Sequence, residues 1–244
     1  MNNEHPLRSL EDVEKSMQHF IDERFLGQPF FKTLLKGEWT ASMLHYFAWQ
    51  YAHYSANFPR VLGAAISAMA PLDDWWIPLA DNLWDEAGRG IPGHSHAVLY
   101  RTFLESLDPS AHRFYEDRRK WPAIGYSVSQ AVKSFIDFFY NATPLEAMAA
   151  VGLGSEFFAD QIMGTIGQGL RHPHYQEKSS VNTTFWDVHA RHDEPRHYAL
   201  CRAVLLEHTP PESYQHILEI GQYIAGSEAA MYDGIYQEAL SLEV

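Results

Sequence analysis

The chain has 244 residues, and 18 lysines and arginines against 31 aspartates and glutamates give it a formal net charge of −13. This acidity, without any basic cluster, argues against binding to nucleic acid or to an anionic membrane surface. No apolar stretch approaches the ~20 residues that a transmembrane helix needs, and the N-terminus lacks the pattern of a signal peptide. The single cysteine, Cys201, excludes an intrachain disulfide and fits a reducing compartment. We therefore expect a cytoplasmic protein.

Apolar residues recur at helical spacing along almost the whole chain, with no strand-like alternation of any length. The first predicted helix begins after Ser9, which with Asp12 resembles a capping box, and a short second helix ends near Gly37. Thr40 is expected to cap the third, a long helix over 41–70 that Pro59 kinks. Further helices are predicted over 73–88, 94–107, 110–118, 123–140, 144–170, from 182 or 183 to about 208, and over 211–241, with a loop at 172–180.

The short connections between these segments predict one domain, residues 1–244, built as an all-α bundle of seven to nine helices. Histidine (14 residues) and aromatic side chains (14%) are unusually frequent for such a chain. The candidate sites are the places where these histidines meet carboxylates.

The densest group of polar residues lies at 189–197, with the sequence His-Ala-Arg-His-Asp-Glu-Pro-Arg-His. On a regular helix, His189, Asp193 and His197 lie about 40° apart at ~100° per residue, so they share one face. Imidazole and carboxylate ligands together suit iron, manganese or zinc. The alternative is a polar helix face exposed to solvent, because short motifs often match by chance.

Pro195 interrupts this otherwise strongly helical segment. It lacks a backbone donor and collides with the carbonyl of Arg191 in a regular helix. We therefore predict a bulge, kink or local unwinding between Arg191 and His197, with Asp193 turned inward and Glu194 outward. The alternative is that Pro195 simply breaks the helix, in which case His189, Asp193 and His197 do not come together.

Two other carboxylates stand out by their surroundings. Glu86 lies near a predicted helix C-terminus, where the helix dipole disfavours a carboxylate unless a cation compensates for it, and His94 and His96 follow a glycine-rich turn. Glu156 is isolated among small, apolar and aromatic residues, and a buried carboxylate needs a partner. The alternative for each is that it is an ordinary glutamate on the protein surface. Helical bundles build di-metal sites from such inward-facing groups.

In the order of these motifs the sequence resembles the haem-oxygenase-like diiron oxidases, relatives of TenA and PqqC. Within them it is most similar to the group typified by the chlamydial protein associating with death domains (CADD). The resemblance covers nearly the whole chain. It is carried by Gln28-Pro29-Phe30-Phe31, Phe58-Pro59-Arg60, Asn82-Leu83, Glu86-Ala87-Gly88, His96, Leu99-Tyr100, Glu156, His189 and Asp193.

This resemblance implies a diiron centre, with manganese as the alternative metal. The implied ligands are Glu86, His96, Glu156, His189, Asp193 and His197. His197 departs from the family's pattern, because it follows Asp193 by four residues rather than three. Glu194 paired with His197 is the rival arrangement, and His94 is the rival of His96.

The function implied is that of an O₂-activating oxidase or oxygenase acting on a small organic molecule, such as an amino-acid derivative or an intermediate in cofactor biosynthesis. We expect O₂ as co-substrate and a homodimer. The alternatives are a metal-free enzyme of the TenA or PqqC type and a non-enzymatic helical interaction protein of the CADD type. TenA-like thiaminases use a cysteine nucleophile, but no thiaminase motif surrounds Cys201, which we expect to be a buried thiol.

Overall fold

The computed structural model describes residues 7–113 and 115–242, without the side chains of Lys178, Ser179, His192, Asp193 and Glu194. Every regular element in this part of the chain is helical. The α-helical segments are α1 (Leu10–Ile21), α2 (Pro29–Leu35), α3 (Ala41–Ser55), α4 (Phe58–Ser67), α5 (Asp73–Glu86), α6 (His96–Leu107), α7 (Tyr126–Phe139), α8 (Pro144–Val151), α9 (Phe157–Leu170), α10 (Pro173–Ser179), α11 (Thr184–Val188), α12 (Glu194–His208) and α13 (Tyr214–Ser241).

Three π turns interrupt or extend these helices. Asp22–Leu26 continues α1, Gly152–Glu156 joins α8 to α9, and His189–Asp193 joins α11 to α12. With the joined segments counted as one, the described residues form eleven continuous helices. The all-α prediction is confirmed, but the predicted number of seven to nine is too low.

The predicted long helix over 41–70 is two helices. α3 ends at Ser55, Asn57 precedes the first residue of α4, and Pro59 is the second residue of α4. The first turn of a helix is where proline fits, because the backbone donors there have no partner within the helix. The chain therefore breaks before Pro59 rather than bending at it.

Two other segments differ from the prediction. The expected loop at 172–180 contains the short helix α10, which begins at Pro173 and is capped by His172, whose Nδ1 accepts a 3.2 Å hydrogen bond from the backbone of His174. The expected helix at 110–118 is only a 3₁₀ turn, Pro109–Arg113. The predicted caps Ser9 and Thr40 are confirmed, because their side chains accept hydrogen bonds from the backbone three residues on.

The long helix α13 lies at the centre of the bundle, where α1, α3, α7 and α8 pack against it. It approaches the π turn Gly152–Glu156 closely. A Cβ on Gly154 would lie 2.7 Å from the Cβ of Ile224, and one on Gly221 would lie 2.9 Å from the Cβ of Leu153. Glycine at these two positions lets α13 sit directly against the segment that carries Glu156.

Many of the aromatic residues pack together in one core. Phe47 stacks on Trp186 with ring centroids 5.8 Å apart, and Tyr51 lies 5.0 Å from Trp186 and 6.2 Å from Tyr232. These rings join α3, α11 and α13. None of the described helices has the length and apolarity that crossing a membrane requires.

Candidate metal centre

Three separate regions of the chain contribute buried histidines and carboxylates, and three of these residues, Glu86, Glu156 and His189, line one pocket. His96, Glu156, His189 and His197 are at most 5% exposed, and the side chain of Glu86 is 11% exposed. Buried groups of this kind need compensating partners. Asp193, the sixth predicted ligand, and its rival Glu194 lie outside the described side chains.

Glu86, His96 and His189 form the first cluster, and one candidate ligand atom of each lies within 4.8 Å of the other two. The Nδ1 of His96 lies 2.9 Å from the Oε1 of Glu86, and the rings of His96 and His189 are 4.3 Å apart. His94 is exposed, whereas His96 is buried. Of the two rival histidines, the structure therefore places His96 in the cluster.

A tight turn brings His96 back beside Glu86. Gly88 adopts a φ of +66°, a conformation that side chains disfavour, and a Cβ there would lie 2.4 Å from the backbone of His94. The turn reverses the chain between the last residue of α5 and the first of α6, so that Glu86 and His96 face each other.

His189 is oriented by a backbone group. Its Nδ1 lies 2.7 Å from the carbonyl oxygen of Phe185, one turn earlier, and the Phe185 ring packs 4.2 Å from the imidazole. A carbonyl oxygen only accepts hydrogen bonds, so the Nδ1 of His189 carries the proton. In a neutral ring, Nε2 is then the nitrogen that presents a lone pair.

Glu156 and His197 form the second part of the site. The Oε1 of Glu156 accepts a 2.9 Å hydrogen bond from Asn82, and its Oε2 lies 3.6 Å from the Nδ1 of His197. The Nε2 of His197 lies 3.1 Å from the Oδ2 of Asp85. Glu156 is the last residue of a π turn, so the irregular helix carries the ligand candidate.

Sequence reasoning missed Asp85. Its side chain is 4% exposed, and its carboxylate forms hydrogen bonds with Arg89, Arg196 and His197. Burial alone would raise the pKa of Asp85, but the hydrogen bonds from Arg89 and His197 outweigh it and lower the pKa below its ordinary value. Arg89 follows Asp85 by four residues but lies beyond the end of α5, with a φ of +54°, so the turn and not the helix brings the pair together.

Sequence reasoning also missed Glu228 in α13, which lies beside Glu156. Its Oε1 accepts a 2.5 Å hydrogen bond from the hydroxyl of Tyr54. Burial, reinforced by the charge of Glu156, raises the pKa of Glu228 from 4.5 to about 8. The signal that singled out Glu156, a lone carboxylate among small residues, is present here too in Ala225-Gly226-Ser227-Glu228-Ala229.

One pocket is lined by residues from both parts of the site. Glu86, Glu156, His189 and Glu228 supply its charged and imidazole groups. The remaining walls are mostly aromatic and apolar, which is typical of small-molecule sites. The wall residues include Tyr51, Tyr54, Phe58, Phe158, Ile162, Met163, Phe185 and Tyr232.

The predicted irregularity near Pro195 is present, but it begins earlier than expected. The π turn His189–Asp193 ends just before α12, and Pro195 is the second residue of that helix. A π turn contains one residue more than an α turn, so the helical-wheel argument that put His189, Asp193 and His197 on one face does not hold through it. The choice between Asp193 and Glu194 stays open.

The donor set fits a metal centre of the predicted kind. Imidazoles and carboxylates together suit iron and manganese, and buried carboxylates beside histidines occur where charges are paired or coordinate a metal. That Glu86, His96, Glu156, His189, Asp193 and His197 act as ligands remains a prediction.

A family model described as iron-containing redox enzyme matches residues 45–222, which is more than half of the chain. No curated protein matches the chain.

Several solved structures share the fold at low sequence identity. A CADD-like protein of unknown function from Nostoc punctiforme superposes with a TM-score of 0.72 at 13% identity, covering 94% of this chain and 97% of that one. A domain from Shewanella denitrificans with a haem-oxygenase-like fold gives 0.74 at 13% identity, covering 96% and 95%. A TenA homologue from P. horikoshii gives 0.69 at 15% identity, covering 95% and 99%. The haem-oxygenase-like fold is confirmed.

Proposed function

The chain belongs to the family of iron-containing redox enzymes, and on that basis we propose that it is a diiron oxidase or oxygenase that activates O₂ to modify a small organic molecule. The proposal rests chiefly on one observation, the buried cluster in which Glu86, His96 and His189 bring candidate ligand atoms within 4.8 Å of one another. A homodimer is part of the same proposal.

In this proposal the chain's own side chains hold two metal ions between α5, α6, α12 and the π turns Gly152–Glu156 and His189–Asp193. Glu86, His96 and His189 hold one side of the centre, and Glu156 and His197 the other. Asp193 or Glu194 completes the set. Bound iron would supply the activation of O₂.

The residues around the centre have their own tasks. The carbonyl of Phe185 fixes the tautomer of His189, and Asn82 orients the carboxylate of Glu156. The aromatic walls exclude water and accept an apolar or aromatic substrate body. Glu228 lines the same pocket, and in the metal-free chain its burial raises its pKa to about 8.

The alternatives fit the site less well. A non-enzymatic interaction protein has no need for Glu86 and Glu156 to be buried beside histidines. Among metal-free enzymes of the TenA or PqqC type, a thiaminase needs a reactive thiol, but Cys201 is 1% exposed and its pKa is raised by burial.

Metal analysis tests the proposal. The protein is saturated with Fe(II) under anaerobic conditions, desalted and analysed for iron, with about two irons per chain expected. His189→Ala and Glu156→Gln should each reduce the iron content, whereas His94→Ala, which removes an exposed histidine from the neighbouring turn, should not. Equal iron in all variants, or none in the wild type, would contradict the proposal.

The same assay separates the two carboxylates at the π turn. Asp193→Asn and Glu194→Gln are loaded side by side, and only the variant of the true ligand should lose iron. If the ferrous wild type holds iron but does not react with O₂, the site is a metal site without the proposed oxidase chemistry.

A further inference from the structure

Asp85 lies where three donors meet at the C-terminal end of α5. Its Oδ1 accepts a 2.6 Å hydrogen bond from the Nε of Arg89, and its Oδ2 lies 2.7 Å from the Nη1 of Arg196 and 3.1 Å from the Nε2 of His197. The carboxylate is almost fully buried, and it links α5 to α12 through Arg196 and His197.

The cluster of Asp81, Asp85 and His197 has the composition of a metal site. Two guanidinium groups occupy it, however, because Arg89 binds Asp85 and Arg196 binds both aspartates. Both oxygens of Asp85 are thus engaged by positive charge. A metal cation at Asp85 would therefore compete with an arginine for either carboxylate oxygen, which favours a supporting role for Asp85 over that of a ligand.

The contact between Asp85 and His197 decides which imidazole nitrogen faces the centre. An ionised carboxylate accepts hydrogen bonds and donates none, so the Nε2 of His197 carries the proton that it shares with Asp85. The other nitrogen, Nδ1, lies 3.6 Å from the Oε2 of Glu156. In a neutral ring, Nδ1 then presents its lone pair toward Glu156.

We propose that Asp85 is a positioning residue that holds His197 in the Nε2–H tautomer and at the ring rotation in which Nδ1 binds the metal, while Arg89 and Arg196 hold Asp85 in place. This inference rests on the proposed diiron function. The two histidines of the α11–α12 helix would then bind metal through different nitrogens. His189 is held through Nδ1 and offers Nε2, whereas His197 is held through Nε2 and offers Nδ1.

Carboxylates that orient metal-bound histidines in this way contribute strongly to metal affinity, and their removal typically costs 10- to 100-fold. The arrangement also places Asp85 next to Glu86 in the chain. One ion-pair cluster, in which the carboxylate of Asp85 is buried and the two arginines reach solvent, therefore connects the end of α5, which carries Glu86, to His197 in α12.

The test compares Asp85→Asn with Asp81→Asn. Asp85→Asn keeps the shape of the side chain but no longer demands a proton on Nε2. Asp81, whose carboxylate lies within 4.8 Å of a His197 nitrogen, forms its ion pair with Arg196. We expect the dissociation constant for Fe(II) or Zn(II) to rise about 10- to 100-fold in Asp85→Asn. Asp81→Asn should bind within about twofold of the wild type. A loss of metal in both variants would indicate a metal bound by the aspartates themselves and overturn the proposal.

Nitrogen NMR of the histidine rings gives a readout that does not depend on activity. His197 is assigned by comparison with His197→Gln, and the zinc-loaded wild type should show zinc on Nδ1 and a proton on Nε2. Asp85→Asn should give a mixture of tautomers. Zinc on Nε2 in the wild type, or an unchanged affinity in a folded Asp85→Asn variant, would overturn the proposal.

The two proposals fail in different ways. If the wild type binds no metal, the proposed function is wrong, and the tautomer of His197 in the metal-free protein at pH 9 still decides the role of Asp85. A proton on Nδ1 under those conditions would contradict it. If Asp85→Asn does not fold, Arg89→Gln, which removes one of the two arginines behind Asp85, is measured in its place and should weaken metal binding.

Discussion

The hydroxyl of Tyr54 donates a 2.5 Å hydrogen bond to the Oε1 of Glu228, and this contact joins α3 to α13 deep in the bundle. Both groups are buried, and Glu156 is near enough for its charge to oppose ionisation of Glu228. The fold therefore keeps Glu228 protonated through neutral pH.

The first prediction concerns the metal-free protein and pH. The pKa of Glu228 is raised from 4.5 to about 8, so the folded state binds more protons than the unfolded state between these values, and the free energy of unfolding falls as pH rises through that window. Glu228→Gln removes this dependence. From pH 5 to 8, the free energy of unfolding of the variant should increase relative to that of the wild type by up to about 1.4 kcal/mol per pH unit.

Urea unfolding at several pH values measures this gain. Glu219→Gln, an exposed change on the same helix, serves as the control and should run parallel to the wild type. A constant difference between Glu228→Gln and the wild type would show that Glu228 ionises normally.

The second prediction concerns the contact between α13 and the π turn. Gly154→Ala places a Cβ 2.7 Å from the Cβ of Ile224, and such overpacking should lower the free energy of unfolding by ~1–3 kcal/mol. Gly63→Ala is the matched control, because Gly63 is in α4 with nothing within 4 Å of the added Cβ. It should raise stability by up to about 1 kcal/mol through helix propensity. Thermal unfolding of the two variants distinguishes these outcomes.

The third prediction concerns Cys201. The thiol is 1% exposed, and burial together with the nearby charge of Glu156 raises its pKa, so the native protein should not react with a disulfide reagent such as DTNB. Denaturant should release one reactive thiol per chain. Ser67→Cys, which places a second thiol on an exposed position of α4, should add one group that reacts at once. Rapid labelling of the unmodified native chain would contradict the buried position.

The fourth prediction follows from the proposed metal centre. Because metal binding stabilises the elements that supply the ligands, Fe(II) should slow amide hydrogen exchange most in the π turns Gly152–Glu156 and His189–Asp193. α7, which carries none of the candidate ligands, is the internal control. Equal protection of α7 and the two π turns would point to a general effect of iron instead of a local site.

The sequence was sufficient to predict the helical class and several candidate site residues, because helical periodicity and isolated carboxylates are local signals. Glu156 could be singled out by its small and apolar neighbours alone. His96 could not be chosen over His94 on these grounds, because the choice depends on the turn at Gly88 and on which side chain it buries.

Asp85 and Glu228 required the tertiary structure. Asp85 gains its role from Arg196 and His197, more than 100 residues away, and its own neighbours in the chain give no sign of that contact. The pKa of Glu228 depends on its burial and on the approach of Glu156 from another helix. The position of the π turn His189–Asp193 also required the structure. Pro195 indicates that the helix is irregular, but it does not indicate where along the helix the extra residue is accommodated.

The two π turns at the site also bear on how relatives of this chain should be sought. Deleting one residue from Gly152–Glu156 would restore a regular α-helix and turn α9 by about 100° relative to α8. A relative that lacks the extra residue therefore needs a different spacing between its motifs to keep the same side chains in place. A search pattern with one fixed spacing would pass over chains that differ from this one by a single residue in either π turn. A pattern that lets one residue be gained or lost at each π turn would retrieve both kinds.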